Sequence, residues 1–185
     1  MAVTIRQARP LTDGELLDLS QRNPGYQMER ARDGRLIVTP TGGRSGARSA
    51  EVLAQLHHWN RRLDLGVAFD SSTGFSLPDG SILSPDAAWI DAERWNSLSR
   101  QEQEAYPPLC PDAVFEVRSK TDAVEYLRAK MQAYIENGAR LGVLVDPYDR
   151  FVEVYRPDRT PERVDAAQVA LDPELPGLTL DVSRL

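Results

Sequence analysis

Two carboxylates in this chain stand where an acid is costly. Glu116 lies inside the apolar run Pro111-Asp112-Ala113-Val114-Phe115-Glu116-Val117, and Asp86 opens another, Ser84-Pro85-Asp86-Ala87-Ala88-Trp89-Ile90. Such runs read as short, largely buried strands. There an ionised Asp or Glu is unfavourable unless a cation or hydrogen-bond donors satisfy it. If the two strands are neighbours, the side chains converge at a sheet edge and make an oxygen-rich site suited to Mg²⁺. The chemistry this points to is metal-dependent hydrolysis of a phosphodiester.

Residues two apart in a strand share a face, so Val114, Glu116 and Arg118 point one way and Ala113, Phe115 and Val117 the other. A helix is expected from about Ala123 to Asn137, with Val124, Leu127, Met131, Tyr134 and Ile135 as its apolar arc and Gly138 as its stop. Lys130 falls at the edge of that arc, where its stem lies along the core and its ammonium rises toward the Glu116 strand. A cation there would orient an attacking water or stabilise charge developing on phosphorus. Each residue has a structural alternative. Asp86 could cap a turn, Glu116 could pair with Arg118 or Arg128, and Glu51 could be an i,i+4 partner on its own helix. Lys130 could simply snorkel to water. His57 and His58 lack any HxxxH or HExxH spacing, and Tyr134 reads as core.

The elements that must position these groups follow from pattern and punctuation. Thr12-Asp13-Gly14-Glu15 is a capping box that opens a helix ending near Asn23-Pro24-Gly25. Tyr26 to Arg30 and Leu36 to Thr39 form a hairpin around Asp33-Gly34. From Arg44 or Ser45 to about Asp64, the positions Val52, Leu53, Leu56, Trp59 and Leu63 give the longest helix, whose opposite stripe carries Arg48, Glu51, Gln55 and His58. Strands over Val67 to Asp70 and Gly74 to Leu77 lead through Pro78-Asp79-Gly80 to the Asp86 strand, then a brief helix from Asp91 to Leu98 and a loop from Ser99 to Pro108. After the Glu116 strand and its helix come a buried strand at Leu141 to Val145, a hairpin partner at Phe151 to Tyr155, and an irregular acidic tail. Strand, helix, strand makes a βαβ crossover, so the expected fold is α/β with a mixed sheet.

With 185 residues the chain fits one domain: an N-terminal helix and hairpin at 1–43, a core at about 44–156 and a tail at 157–185. The net charge of −6 argues against a protein that coats nucleic acid non-specifically. Yet from Arg44 to Arg62 four arginines (Arg44, Arg48, Arg61, Arg62) face one acid, Glu51, a local balance of 4 − 1 = +3. That stretch is the candidate phosphate-facing surface. The one cysteine, Cys110, the absence of a leader-like apolar core in the first ten residues, and the lack of any run near ~18 apolar residues lead us to expect a cytoplasmic protein without membrane spans. There is no GxSxG, GxxxxGKS or GxGxxG motif. The segment Pro40-Thr41-Gly42-Gly43-Arg44-Ser45-Gly46 could offer amides to a phosphate at a helix N-terminus or act as an ordinary breaker.

The segments SPDAAWI, PDAVFEVRSKTD, AKMQAYIENGARLGVLVDP and LPGLTLDVSRL resemble the PD-(D/E)xK nuclease superfamily, and more closely the Uma2 family of restriction-endonuclease-like proteins. The resemblance implies a restriction-endonuclease-like mixed β-sheet flanked by helices, a Mg²⁺ or Mn²⁺ site on Asp86 and Glu116 with the Val117 carbonyl beside them, and Glu51 as an additional acid on the first core helix. It implies DNA, in duplex form, as substrate; because cutting both strands needs two active sites and dimers are the commonest oligomer, a homodimer is expected. One position departs from the pattern. The lysine of ExK stands two residues after the acid, where this chain has Arg118, which is always charged and a poor base. The resemblance suggests that Lys130, 130 − 116 = 14 residues on, replaces it, with Lys120 as rival. Arg44, Arg48, Arg118 and Lys120 are the candidate phosphate contacts. Two other classes stay open: a non-catalytic module for nucleic acid or protein on the same fold, and a metal-dependent hydrolase of a small phosphorylated molecule.

Overall fold

The structure, a computed structural model, describes residues 2–40 and 42–185. In chain order its elements are β1 (Val3–Ile5), α1 (Asp13–Arg22), β2 (Tyr26–Arg30), β3 (Leu36–Pro40), α2 (Gly43–Leu63), β4 (Gly66–Asp70), β5 (Phe75–Ser76), β6 (Ile82–Leu83) and β7 (Ala87–Asp91). There follow α3 (Ala92–Asn96), α4 (Arg100–Gln103), β8 (Ala113–Val117), α5 (Val124–Glu136), β9 (Leu141–Asp146), β10 (Phe151–Tyr155), β11 (Glu162–Val164), β12 (Gln168–Ala170) and β13 (Thr179–Asp181). Among the described residues no helix is long and apolar enough to cross a membrane.

The central layer is a six-stranded sheet in the order β11-β10-β9-β8-β7-β4. Only β8 and β9 run parallel, joined by α5 as the expected βαβ crossover; the other pairs are antiparallel. The three middle strands β8, β9 and β10 are buried along their whole length, which is why they read as near-continuous apolar runs. One face packs through Ala87, Trp89, Ala113 and Phe115 against Val52, Leu56 and Trp59 of α2. The other packs through Ala88, Ile90, Val114 and Leu144 against Leu127, Met131 and Tyr134 of α5. Gly142 leaves room for the end of the Met131 side chain from α5, since a Cβ there would stand 2.6 Å from Met131 Cε. A second, antiparallel sheet in the order β1-β3-β2-β6-β5 carries the N-terminal hairpin, and α1 buries Leu16 against its Met28, Leu36 and Ile82.

The Thr12 capping box forms, with Thr12 Oγ1 accepting from the Glu15 N–H at 3.3 Å and Glu15 Oε2 from the Thr12 N–H at 2.9 Å. Gly138, at φ +106°, ends α5 in a conformation L side chains rarely adopt. Three local expectations fail. The stretch Ser99 to Pro108 contains α4, started by a second capping box in which Ser99 and Glu102 exchange hydrogen bonds; it has no apolar stripe, so periodicity is silent there. The tail is not irregular: β11 extends the main sheet beside β10, and β12 and β13 pair and bury Val169, Leu171, Leu175, Leu178 and Leu180 against the α2 side of the core. Strand β7 begins at Ala87, so Asp86 stands one residue ahead of it.

Candidate active site

Register brings the two acids together. Ala88 pairs with Val114 and Ala87 with Phe115, so continuing the β7/β8 ladder by one residue sets Asp86 opposite Glu116. Directly opposed residues have Cβ atoms about 5 Å apart on one face. Asp86 is fixed from two sides: Val117 N–H donates to Oδ2 at 2.7 Å, and Ser49 Oγ, on α2, donates to Oδ1 at 2.9 Å. Glu116, only 5% exposed, turns toward α5, where Lys130 Nζ meets its Oε1 at 2.7 Å and Tyr134 Oη donates to the same oxygen at 3.3 Å. Among the described residues, no donor reaches Glu116 Oε2.

Lys130 is itself buried, at 8% exposure, and its ammonium is fully engaged. Besides Glu116 it meets Glu29 Oε1 at 2.9 Å and donates to the Ser84 carbonyl at 3.1 Å. Glu29, 2% exposed on β2, also accepts from the Ser84 N–H at 2.7 Å, while its strand neighbour Gln27 donates to the Ser84 carbonyl at 2.9 Å. The N-terminal hairpin therefore closes the site from above, gripping the segment that presents Asp86. Sequence reasoning passed over Glu29. The signal available was its place in the strand Tyr26 to Arg30, where it shares a face with Gln27 rather than with the core residue Met28. That marks a side chain directed at another layer, but not which one.

Electrostatics follow from this packing. Burial pushes the Glu116 carboxyl up to about 8; Lys130 pulls it down, but Asp86 and Glu29 push it up again. Burial also raises Asp86 against the opposing pull of the Val117 N–H, Lys130 and Ser49. For Lys130, burial works against the charge, yet Glu116 and Glu29 outweigh it and hold the ammonium well above its ordinary value. It is a fixed cation at neutral pH, not a base.

The other sequence-derived candidates lie elsewhere. Glu51 sits half-buried on α2 with Gln55 Nε2 donating to its Oε1 at 3.3 Å, and no contact links it to Asp86 or Glu116 among the described residues. Two residues along a helix is a turn of roughly 200°, so the face that gives Ser49 to Asp86 directs Glu51 away. Arg118 does not pair with Glu116; its Nη1 bridges Asp146 at 2.7 Å and Asp149 at 2.8 Å. Arg128 pairs with Glu153, at 2.6 Å. Both alternatives for a structural Glu116 pair are thus excluded, the partner being Lys130. Lys120 and Arg44 are exposed, and Arg48 lies over the Tyr148 ring at 4.8 Å. Val117 meets Asp86 through its N–H. Among the described residues, no group of three or more His, Cys, Asp and Glu side chains is arranged as a ready-made metal cage.

The family model of Uma2, "Putative restriction endonuclease", matches residues 13–183. A crystal structure of a putative nuclease belonging to DUF820 from Anabaena variabilis ATCC 29413 superposes with a TM-score of 0.74 at 22% identity, covering 94% of this chain and 96% of that one. At that identity the likeness establishes the fold. No curated protein matches. The family match spans nearly the whole chain, including the six-stranded sheet and every residue of the acid cluster: the protein belongs to the Uma2 family.

Proposed function

We propose that this protein is a Mg²⁺- or Mn²⁺-dependent endonuclease that hydrolyses phosphodiester bonds in duplex DNA. The observation that carries the reading is a charge imbalance: Glu29, Asp86 and Glu116 share one lysine, a formal −3 + 1 = −2 when all are ionised. A divalent cation cancels it. The donors are oxygens throughout, and Mg²⁺ is commonly held by one or two carboxylates with substrate phosphate and water filling the remaining positions. Asp86 and Glu116 would hold the ion, with the Val117 carbonyl as a third donor. Bound there, the ion supplies Lewis-acid polarisation of the phosphoryl group and a water of lowered pKa.

The chain's own residues do the rest. Ser49 and the Val117 N–H fix the orientation of Asp86, and Lys130 holds Glu116 by Oε1. As a permanent cation, Lys130 stabilises negative charge building on the phosphate oxygens or orients the attacking water; it takes no proton from that water. Glu29 keeps the ammonium in place. Glu51 is left out of the scheme, because Ser49 is the α2 residue that faces Asp86. Cutting both strands calls for two such centres, which a two-fold dimer supplies. Buried Cys110 suits a reducing cytoplasm.

The test is cleavage of supercoiled plasmid with Mg²⁺ or Mn²⁺, together with calorimetric titration of Mn²⁺. Asp86→Asn and Glu116→Gln are expected to lower the rate by at least about a hundredfold, the scale of losing one electrostatic stabiliser, and to abolish the heat of Mn²⁺ binding. Folded variants that cut at the parent rate would overturn the assignment. Wild-type protein without carboxylate-dependent heat would point instead to a non-catalytic module.

A further inference from the structure

Arg48, in the arginine stretch, is held in place yet has no counter-charge among the described residues. Its Nη1 is buried with no hydrogen-bond partner among them, and its guanidinium lies over the ring of Tyr148, 4.8 Å from the centroid. No carboxylate of the described residues comes within ion-pair distance. An unsatisfied buried donor on a charged group is costly, so the site is incomplete without an acceptor. Arg118 stands by the same ring, at 6.0 Å, but its charge is already cancelled by Asp146 and Asp149.

The pair flanks the acid cluster. The residue after Arg48 is Ser49, which holds Asp86 Oδ1, and the residue before Arg118 is Val117, whose N–H holds Asp86 Oδ2. Tyr148 belongs to the exposed turn between β9 and β10 at the same end of the sheet. Beyond Arg48 a cleft of about 310 Å³ runs past Arg44, Glu51 and Arg184. Arg44 and Arg48 are four residues apart on α2, so they lie on one face about 6 Å apart along the axis. Neither has an ion-pair partner among the described residues, and Glu51, which also lines the cleft, is held by Gln55.

We infer that Arg48, braced on Tyr148, binds a backbone phosphate of the DNA strand that crosses the acid cluster, next to the phosphate under attack, and that the strand continues along the cleft past Arg44. This rests on the nuclease reading above and narrows it. An arginine donor suits a phosphate oxygen, and the tyrosine ring holds the guanidinium ready without neutralising it. Arg118, by contrast, is spent on its two aspartates.

The experiment measures binding of a short fluorescent DNA duplex across a range of salt concentrations, in the Asp86→Asn background so that the probe stays intact. Arg48→Ala is expected to weaken binding roughly tenfold and to reduce the slope of log K against log salt by about 0.9, the loss of one phosphate contact. Tyr148→Leu, which removes the brace, should weaken binding less, and Tyr148→Phe, which keeps the ring, should match the parent. Arg100→Ala removes the same charge from exposed α4, on the stretch that leads into the Asp112 end of β8, and should leave both quantities unchanged. If Arg48→Ala binds with the parent slope, or Arg100→Ala loses as much, the Arg48 assignment is wrong while the nuclease reading stands. If the parent binds no duplex at all, both fall.

Discussion

The two ends of β8 each carry a buried acid, and they are treated in opposite ways. Asp112, just before the strand, is met by Arg94 at 2.7 Å, Arg140 at 3.0 Å and the Asp91 N–H at 2.9 Å, a local balance of −1 + 2 = +1. Both arginines are partly exposed, at 40% and 52%, so water shares the burden of their charge. Glu116, about 13 Å along the strand at 3.3 Å per residue, sits in a cluster with a formal balance of −2 when its acids are ionised and with a buried cation. The architectural acid has more positive charge than it needs; the other cluster has less. That difference sets a satisfied buried ion pair apart from a cluster that, on the proposed reading, receives a cation. It also falls at the expected end, because open α/β sheets bind ligands at the carboxyl ends of their parallel strands, here β8 and β9.

The contrast is most sharply broken or sharpened at Lys130. Lys130→Met leaves Glu29 and Glu116 buried without their cation, and uncompensated buried charge of that kind costs about 3–5 kcal/mol. Urea denaturation should show that loss as a lower midpoint, with part of it recovered in saturating Mn²⁺. At the other end, Asp112→Asn removes the acid but leaves two guanidiniums that water can solvate, so a loss of about 1–2 kcal/mol is expected. The heat of Mn²⁺ binding should not change. If Asp112→Asn costs as much as Lys130→Met, or alters Mn²⁺ binding, the two ends are not distinct.

How far this was legible in the sequence depends on which interactions are local. The capping box at Thr12, the β2/β3 hairpin, α2, α5 and the β8-α5-β9 crossover all follow from patterns between chain neighbours, where spacing determines the face. Asp86 and Glu116 were visible because an acid in a buried strand is anomalous by itself. Their meeting was an inference about strand neighbours, which the antiparallel β7/β8 register realises. Glu29 could not be found this way. It comes from a different sheet, and its partner Lys130 is 101 residues on (130 − 29), so only the packing of one sheet over the other joins them. Glu51 illustrates the converse: a helix position consistent with a role, but rotated away once Ser49 is fixed on Asp86. The tail strands β12 and β13 stayed hidden because three-residue strands carry too little alternation to read, although their leucines do fill the core.

The smallest expected effect is a pH dependence of stability, and it probes the charge deficit directly. A carboxyl held at about 8 in the folded protein, against an ordinary value of 4.5, keeps its proton where the unfolded chain has lost it. The folded state therefore binds more protons between those two values, and stability falls as pH rises through that window, by up to about 1.4 kcal/mol per pH unit for one group. Asp86, also raised by burial, adds in the same direction starting from a lower pH. Glu116→Gln should remove most of the slope near neutrality while leaving the Asp86 part, measured as urea midpoints from mildly acidic to mildly alkaline pH. Saturating Mg²⁺ should flatten the curve of the parent protein, because binding requires the ionised carboxylates and so gains with each proton released. A parent protein whose stability rises across the same window would mean that Lys130 already satisfies the cluster, leaving no deficit for a cation to fill.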